Sequence, residues 1–154
     1  MTVEQRLTQL GITLPPGTAP AANYANAVRS GNLMFLSGKA PQATDGKLPK
    51  GKLGREFNVD DGYAFARSAA LDLIAVMNAE LGSLERVARV VDLQGFMNTT
   101  DDFEDHAKVL NGASDLLHEI FGKAGDGYHA RSALGFASLP TGAAVEVEAV
   151  FEIK

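Results

Sequence analysis

Apolar residues recur along this chain with two periods, and the switches between them mark out the elements. Val3 to Leu10 carries an amphipathic helical pattern, and the prolines of the following PPGTAPAAN segment bar regular structure. Tyr24 to Val28 and Leu33 to Ser37 read as strands, with Ser30-Gly31-Asn32 between them as a hairpin signal. Lys39 to Gly54, rich in Gly, Pro and Lys, predicts a loop, with a short third strand after it. A long helix follows, with Ala66, Ala70, Leu73, Ile74, Met77 and Leu81 on one face. Asp60 and Asp61 favour its start and Gly82 closes it.

Val87 to Phe96 is apolar enough for a strand buried on both faces, interrupted by Asp92. Asp101 and Asp102 are placed to open a second helix, with Phe103, Ala107, Leu110, Leu117 and Phe121 on its stripe and Gly122 at its end. From Val145 to Ile153 every second residue is apolar, which turns Glu146, Glu148 and Glu152 to the opposite face of a strand. Ala130 to Phe136 alternates before it, and Leu139-Pro140 suggests a tight turn between the two. These elements predict a two-layer α+β domain: a mixed sheet of six strands with two main helices on one face. The first 20 residues form a helix and linker, and residues 21–154 form the domain. Small or apolar residues on both faces of several strands imply that copies of the chain cover the open face, as a homo-oligomer.

Composition narrows the function. A chain of 154 residues with 45% apolar and 21% charged residues has globular composition. Without cysteine there is no disulfide framework, thiol nucleophile or thiolate metal site. No secretory leader or membrane-spanning run is visible, so a cytoplasmic location is expected, with no membrane partner. The net charge of −5 argues against nucleic acid, and Lys47, Lys50, Lys52 and Arg55 read as a solvated loop tip.

Candidate chemistry gathers near the C-terminus. A tight turn at Leu139-Pro140 would put Arg131 opposite Glu148, on a face otherwise lined by Ala133, Gly135, Ala137 and Ala144. Small residues around a fixed charge pair leave room for a ligand, although exposed pairs of this kind are commonly worth only ~0–1 kcal/mol and serve no function. Other groupings carry less. His106 and His118, twelve positions apart on one helix, cannot share a metal ion, and Asp102 and Asp115 near them read as surface partners. His129 either rims a pocket at Arg131 or sits in a turn. Gly122, Gly125 and Gly127 lack a dinucleotide fingerprint, and Gly38-Lys39 lacks the spacing of a phosphate loop.

The segments NYANAVRSGNLMFLSGKAP, ARSALGFASLP and VEVEAV together resemble the RidA/YjgF family of reactive-intermediate deaminases, over roughly Ala22 to Lys154. That resemblance implies a chorismate-mutase-like fold, a homotrimer and pockets between subunits. It also implies hydrolysis of enamines and imines such as 2-aminoacrylate to a 2-keto acid and ammonia, without metal or cofactor. Arg131 falls at the family's carboxylate-binding arginine, Glu148 at its water-handling glutamate and Tyr24 at its pocket tyrosine. Ser37 and Gly38 fall at the substrate-lining Ser-Gly pair. The family's pocket asparagine is replaced by Ser114, with Asn111 one turn earlier as the other candidate. Lys39 stands for a glutamine and Ala133 for a cysteine. The partner is then a small carboxylate-bearing imine, enamine or keto acid. Alternatives are a non-catalytic trimer binding such a metabolite or a protein, and an endoribonuclease, which the acidic charge disfavours.

Overall fold

The computed structural model describes residues 1–122 and 125–154. A short helix α1 (Val3–Gln9) starts at a capping box formed by Thr2 and Gln5. Strands β1 (Ala27–Ser30) and β2 (Leu33–Lys39) form a hairpin. Helix α2 (Val59–Leu81) follows, then β3 (Val87–Asn98), α3 (His106–Phe121), β4 (Ala130–Phe136) and β5 (Val145–Ile153). The sheet runs β1-β2-β5-β3-β4, with β3 and β4 parallel and every other pair antiparallel.

The two long helices cover one face of this sheet. β5, at its centre, buries Val145, Val147, Ala149, Phe151 and Ile153 against them, as its alternation requires. α2 is buried on more than one side, since Leu73, Ile74, Ala75, Val76 and Met77 are all in the interior. The extra cover comes from the irregular segment after α1. Thr18 donates its backbone N–H and its hydroxyl to the Asp72 carboxylate, at 3.1 and 2.7 Å. The caps follow the sequence: Asn58 and Asp61 form a capping box, and Gly82 ends α2 in the left-handed conformation, φ 75°.

Several expectations are corrected. The sheet has five strands, because residues 40–58 contribute only isolated bridges at Thr44, Lys50 and Leu53. β1 begins at Ala27, so Tyr24 precedes the strand. β3 is buried on one face only: Val87, Val90, Leu93 and Met97 point inward, while Asp92, Gln94 and Phe96 are half-exposed. α3 starts at His106, because Asp101-Asp102 form a turn in which Asp102 accepts from the Thr100 hydroxyl. Ala107 is exposed, and the buried stripe runs through Val109, Leu110, Ala113, Leu116, Leu117, Ile120 and Phe121.

The largest correction concerns the last two strands, which do not pair. β3 lies between them. Residues 137–144, including a 3₁₀ turn at Pro140–Gly142, cross the end of β3. There Asn98 N–H bonds the Ala144 carbonyl and Thr99 N–H bonds the Phe136 carbonyl. The ends of β3 therefore satisfy backbone groups that a tight hairpin would have paired with each other. Among the described residues, no helix is long and apolar enough to cross a membrane.

Candidate functional site

Edge strand β4 sets the position of Arg131. Its register partner on β3 is Leu93, which is fully buried under the helices, so the Arg131 side chain lies on the helix side of the sheet. There Nη1 donates to Ser114 Oγ at 3.0 Å and Nη2 donates to the Ala107 carbonyl at 3.2 Å. Both acceptors belong to α3, which thus grips one side of the guanidinium. No ion pair engages Arg131 among the described residues. Partial burial lowers its pKa, and the nearby charge of Asp115 opposes that shift. Among the described residues the remaining N–H groups of the planar fork have no acceptor, and a guanidinium can take a carboxylate through two parallel bonds.

Ser114, not Asn111, reaches Arg131. It is buried, whereas Asn111 is exposed one turn away. Ser114 Oγ also lies 2.9 Å from His129 Nε2, and His129 Nδ1 lies 2.7 Å from the Gly127 carbonyl oxygen. His129 is thus joined to Arg131 through Ser114. Its burial, opposed by the bond to Gly127, leaves its pKa below the usual value.

Glu148 occupies the opposite face. Its partner on β3 is Gln94, one residue out of phase with Leu93, and so it points away from the helices. On its other side β2 bulges between Leu36 and Lys39, so that Ser37 and Gly38 together stand opposite Glu148. The bulge turns Ser37 to donate its hydroxyl to the Ala25 carbonyl at 2.6 Å. Gly38 packs so closely on the Glu146 carboxylate that a Cβ there would collide with it. Ser37, Glu148, Asp92, Val28, Phe35 and Val150 line a cleft of about 210 Å³. Burial and the neighbouring Asp92 charge push the Glu148 pKa up, and burial with the Glu148 charge does the same to Glu146.

The candidate residues therefore fall into two groups on opposite faces of the sheet. Arg131 and Ser114, with His129, lie on the helix side; Ser37, Gly38 and Glu148 lie on the open side. Within one chain Arg131 and Glu148 are not cross-strand partners and do not share a face, contrary to the turn-based expectation. Tyr24 stands apart from both, 45% exposed, its hydroxyl accepting from the Ala21 N–H at 3.2 Å. Lys39 ends β2 rather than opening a loop. Its buried Nζ donates to the Thr18 carbonyl, the Thr18 hydroxyl and Asn26 Oδ1, fastening the segment that carries Tyr24. Asp115 accepts from the Tyr63 hydroxyl at 2.7 Å, and the His118 ring stacks on that of Tyr128. Among the described residues no cluster of three or more potential ligands is arranged to hold a metal ion.

Comparison with known proteins agrees with this fold. Residues 4–150 match the family described as "YjgF/chorismate mutase-like, putative endoribonuclease". Protein TCP17 of Trypanosoma cruzi is 46% identical over 151 residues, covering 98% of this chain and 94% of that protein. A crystal structure from Shewanella oneidensis, described as a "putative endoribonuclease", superposes with a TM-score of 0.92 at 35% identity, covering 99% of this chain and all of the other. A 2-iminobutanoate/2-iminopropanoate deaminase of Dermatophagoides farinae is 27% identical over 144 residues, covering 93% of this chain and 95% of that protein.

Proposed function

This chain belongs to the YjgF/chorismate mutase-like family, and we propose that it hydrolyses small imine or enamine carboxylic acids to 2-keto acids and ammonia. The observation that carries this proposal is Arg131: a half-buried guanidinium at a sheet edge, held from one side by Ser114 and Ala107 and paired with no carboxylate among the described residues. The deaminase name of the Dermatophagoides farinae relative supports the same chemistry.

In this mechanism the substrate carboxylate docks on the free edge of Arg131, which fixes the orientation of the C=N bond. An enamine such as 2-aminoacrylate first tautomerises to its imine. Water then adds to the electrophilic imine carbon, giving a carbinolamine. Cleavage of the C–N bond releases ammonia and leaves the keto acid. A carboxylate accepts the water proton and returns one to the departing nitrogen, a role typically worth ~10²–10⁴-fold. Glu148 is suited to it, since its raised pKa brings the acid form closer to neutrality.

Because Arg131 and Glu148 lie on opposite faces of one sheet, a second copy of the chain must bring them together. A homotrimer, with Arg131 of one protomer facing Ser37, Gly38 and Glu148 of its neighbour, meets that requirement. The open face suits such a contact, because Val28, Phe35, Leu134 and Phe136 are all exposed on it. Tyr24, 45% exposed on the segment ahead of β1, is accessible to such a neighbour.

The separation of Arg131 from Glu148 also favours a second proposal, a trimer that binds a keto acid at Arg131 without turnover. The endoribonuclease description of relatives fits this chain poorly, given its net charge of −5 and the carboxylates of Asp92, Glu146 and Glu148 on the open face. A coupled assay that generates 2-aminoacrylate separates these outcomes. The parent speeds release of pyruvate and ammonia, and Arg131→Ala lowers kcat/KM by about 10–100-fold, the loss of a charge-assisted pair of hydrogen bonds. Pyruvate binding without turnover by the parent identifies the binding module. A folded Arg131→Ala protein as fast as the parent refutes the assignment.

A further inference from the structure

The hydrogen bonds behind Arg131 form a chain in which each link constrains the next. The Gly127 carbonyl can only accept, so His129 Nδ1, 2.7 Å away, carries the proton. In the neutral ring Nε2 is then a bare lone pair, 2.9 Å from Ser114 Oγ, and it draws the hydroxyl proton. With that proton committed, the Ser114 oxygen turns its lone pairs to Arg131 Nη1, which donates at 3.0 Å. The direction of all three bonds follows from one carbonyl.

We propose that His129 is a positioning residue for Arg131: through the Ser114 hydroxyl it fixes which guanidinium N–H groups stay free to grip a carboxylate. This rests on Arg131 being the substrate anchor. An arginine side chain loses much rotamer freedom when it is held, and holding it beforehand removes that cost from binding.

The surroundings disfavour the charged ring, in the sense this role requires. From α3, the His118 ring lies 5.2 Å from that of His129. The charges of Arg131 on β4 and of Asp92 on β3 also act on it. Burial lowers the His129 pKa most. The positive charges of His118 and Arg131 add to that, while the Gly127 bond and Asp92 oppose it. A carboxylate docked on Arg131 offsets one of those positive charges. By reciprocity, binding a keto acid raises the His129 pKa.

The test uses the full-length protein with ¹⁵N-labelled histidine and pyruvate as the probe. In the parent, NMR of His129 shows the Nδ1–H tautomer, and pyruvate moves its titration to higher pH. His129→Leu keeps bulk but neither hydrogen bond, and weakens pyruvate binding about tenfold, the size of one ordered hydrogen bond. His129→Gln can accept from Ser114 and donate to Gly127, and recovers binding to within about threefold of the parent. An Nε2–H tautomer in the parent overturns the proposal, as does unchanged affinity in His129→Leu. Equal loss in the Leu and Gln variants also overturns it, because it identifies mere filling of space. Arg131→Ala separates the two levels. If pyruvate binds that variant as well as the parent, the anchor itself falls. If Arg131→Ala loses pyruvate while His129→Leu does not, only the role of His129 falls.

Discussion

At the scale of single residues, burial shifts the two groups of candidate residues in opposite directions. Burial lowers the pKa values of Arg131 and His129 on the helix side and raises those of Glu146 and Glu148 on the open side. In every case the charged form is the one disfavoured, as desolvation requires. For Glu148 the consequence is a pH profile. A general base must be ionised, so kcat/KM for imine hydrolysis rises with pH through the raised Glu148 pKa. Its acid limb therefore lies above the ordinary glutamate range of about 4.3. Glu148→Gln removes that limb along with most of the activity, and an initial-rate profile from pH 4 to 8 reads both. The effect on stability has the opposite sense. A raised carboxyl pKa means that the native state holds its proton longer than the unfolded chain. The contribution of Glu146 and Glu148 is thus full below the unfolded value and lost as pH rises through their folded pKa values. Alternation along β5 was enough to place Glu148 on the face away from the core. The Ser114–His129 contact had no local signal, because the partners are 15 positions apart and meet only when β4 docks beside α3.

Among the elements, the packing of α2 on α3 decides where Ser114 sits. Gly112, two residues before Ser114, faces α2 so closely that a Cβ would press into the Tyr63 carbonyl and the Arg67 backbone. Tyr63 to Asp115 and Arg67 to Glu119 then tie the same two helices together, each at 2.7 Å. Gly112→Ala is expected to destabilise the protein by about 2–3 kcal/mol, because backbone cannot move aside as a side-chain tip can. A shift of the urea midpoint at constant slope checks this, and an unchanged midpoint would show that the crossing is more open than described. Both long helices and the sense of β2 and β5 were legible in the sequence, because each keeps its period over many residues. The pairing of β4 was not. Period-two alternation says which residues share a face but not which strand lies alongside, and Pro140 suggested a turn where the chain instead crosses the end of β3. The third strand failed for a related reason: residues 40–58 make only isolated bridges and lack the length for a ladder.

For the whole molecule, the proposed hydrolysis requires an active site shared between copies of the chain. The sheet separates Arg131 from Glu148 within one protomer, and the exposed apolar residues of the open face give a neighbour something to bury. Mixing two impaired variants tests this. Arg131→Ala and Glu148→Gln chains are denatured together, refolded as mixed oligomers, and assayed for hydrolysis of 2-aminoacrylate. If each site takes Arg131 from one chain and Glu148 from another, random mixing rebuilds about a quarter of the sites, and activity returns towards that fraction of the parent's. If mixed oligomers form, as a mass-tagged chain would reveal, and activity stays at the level of the separate variants, the shared site is contradicted.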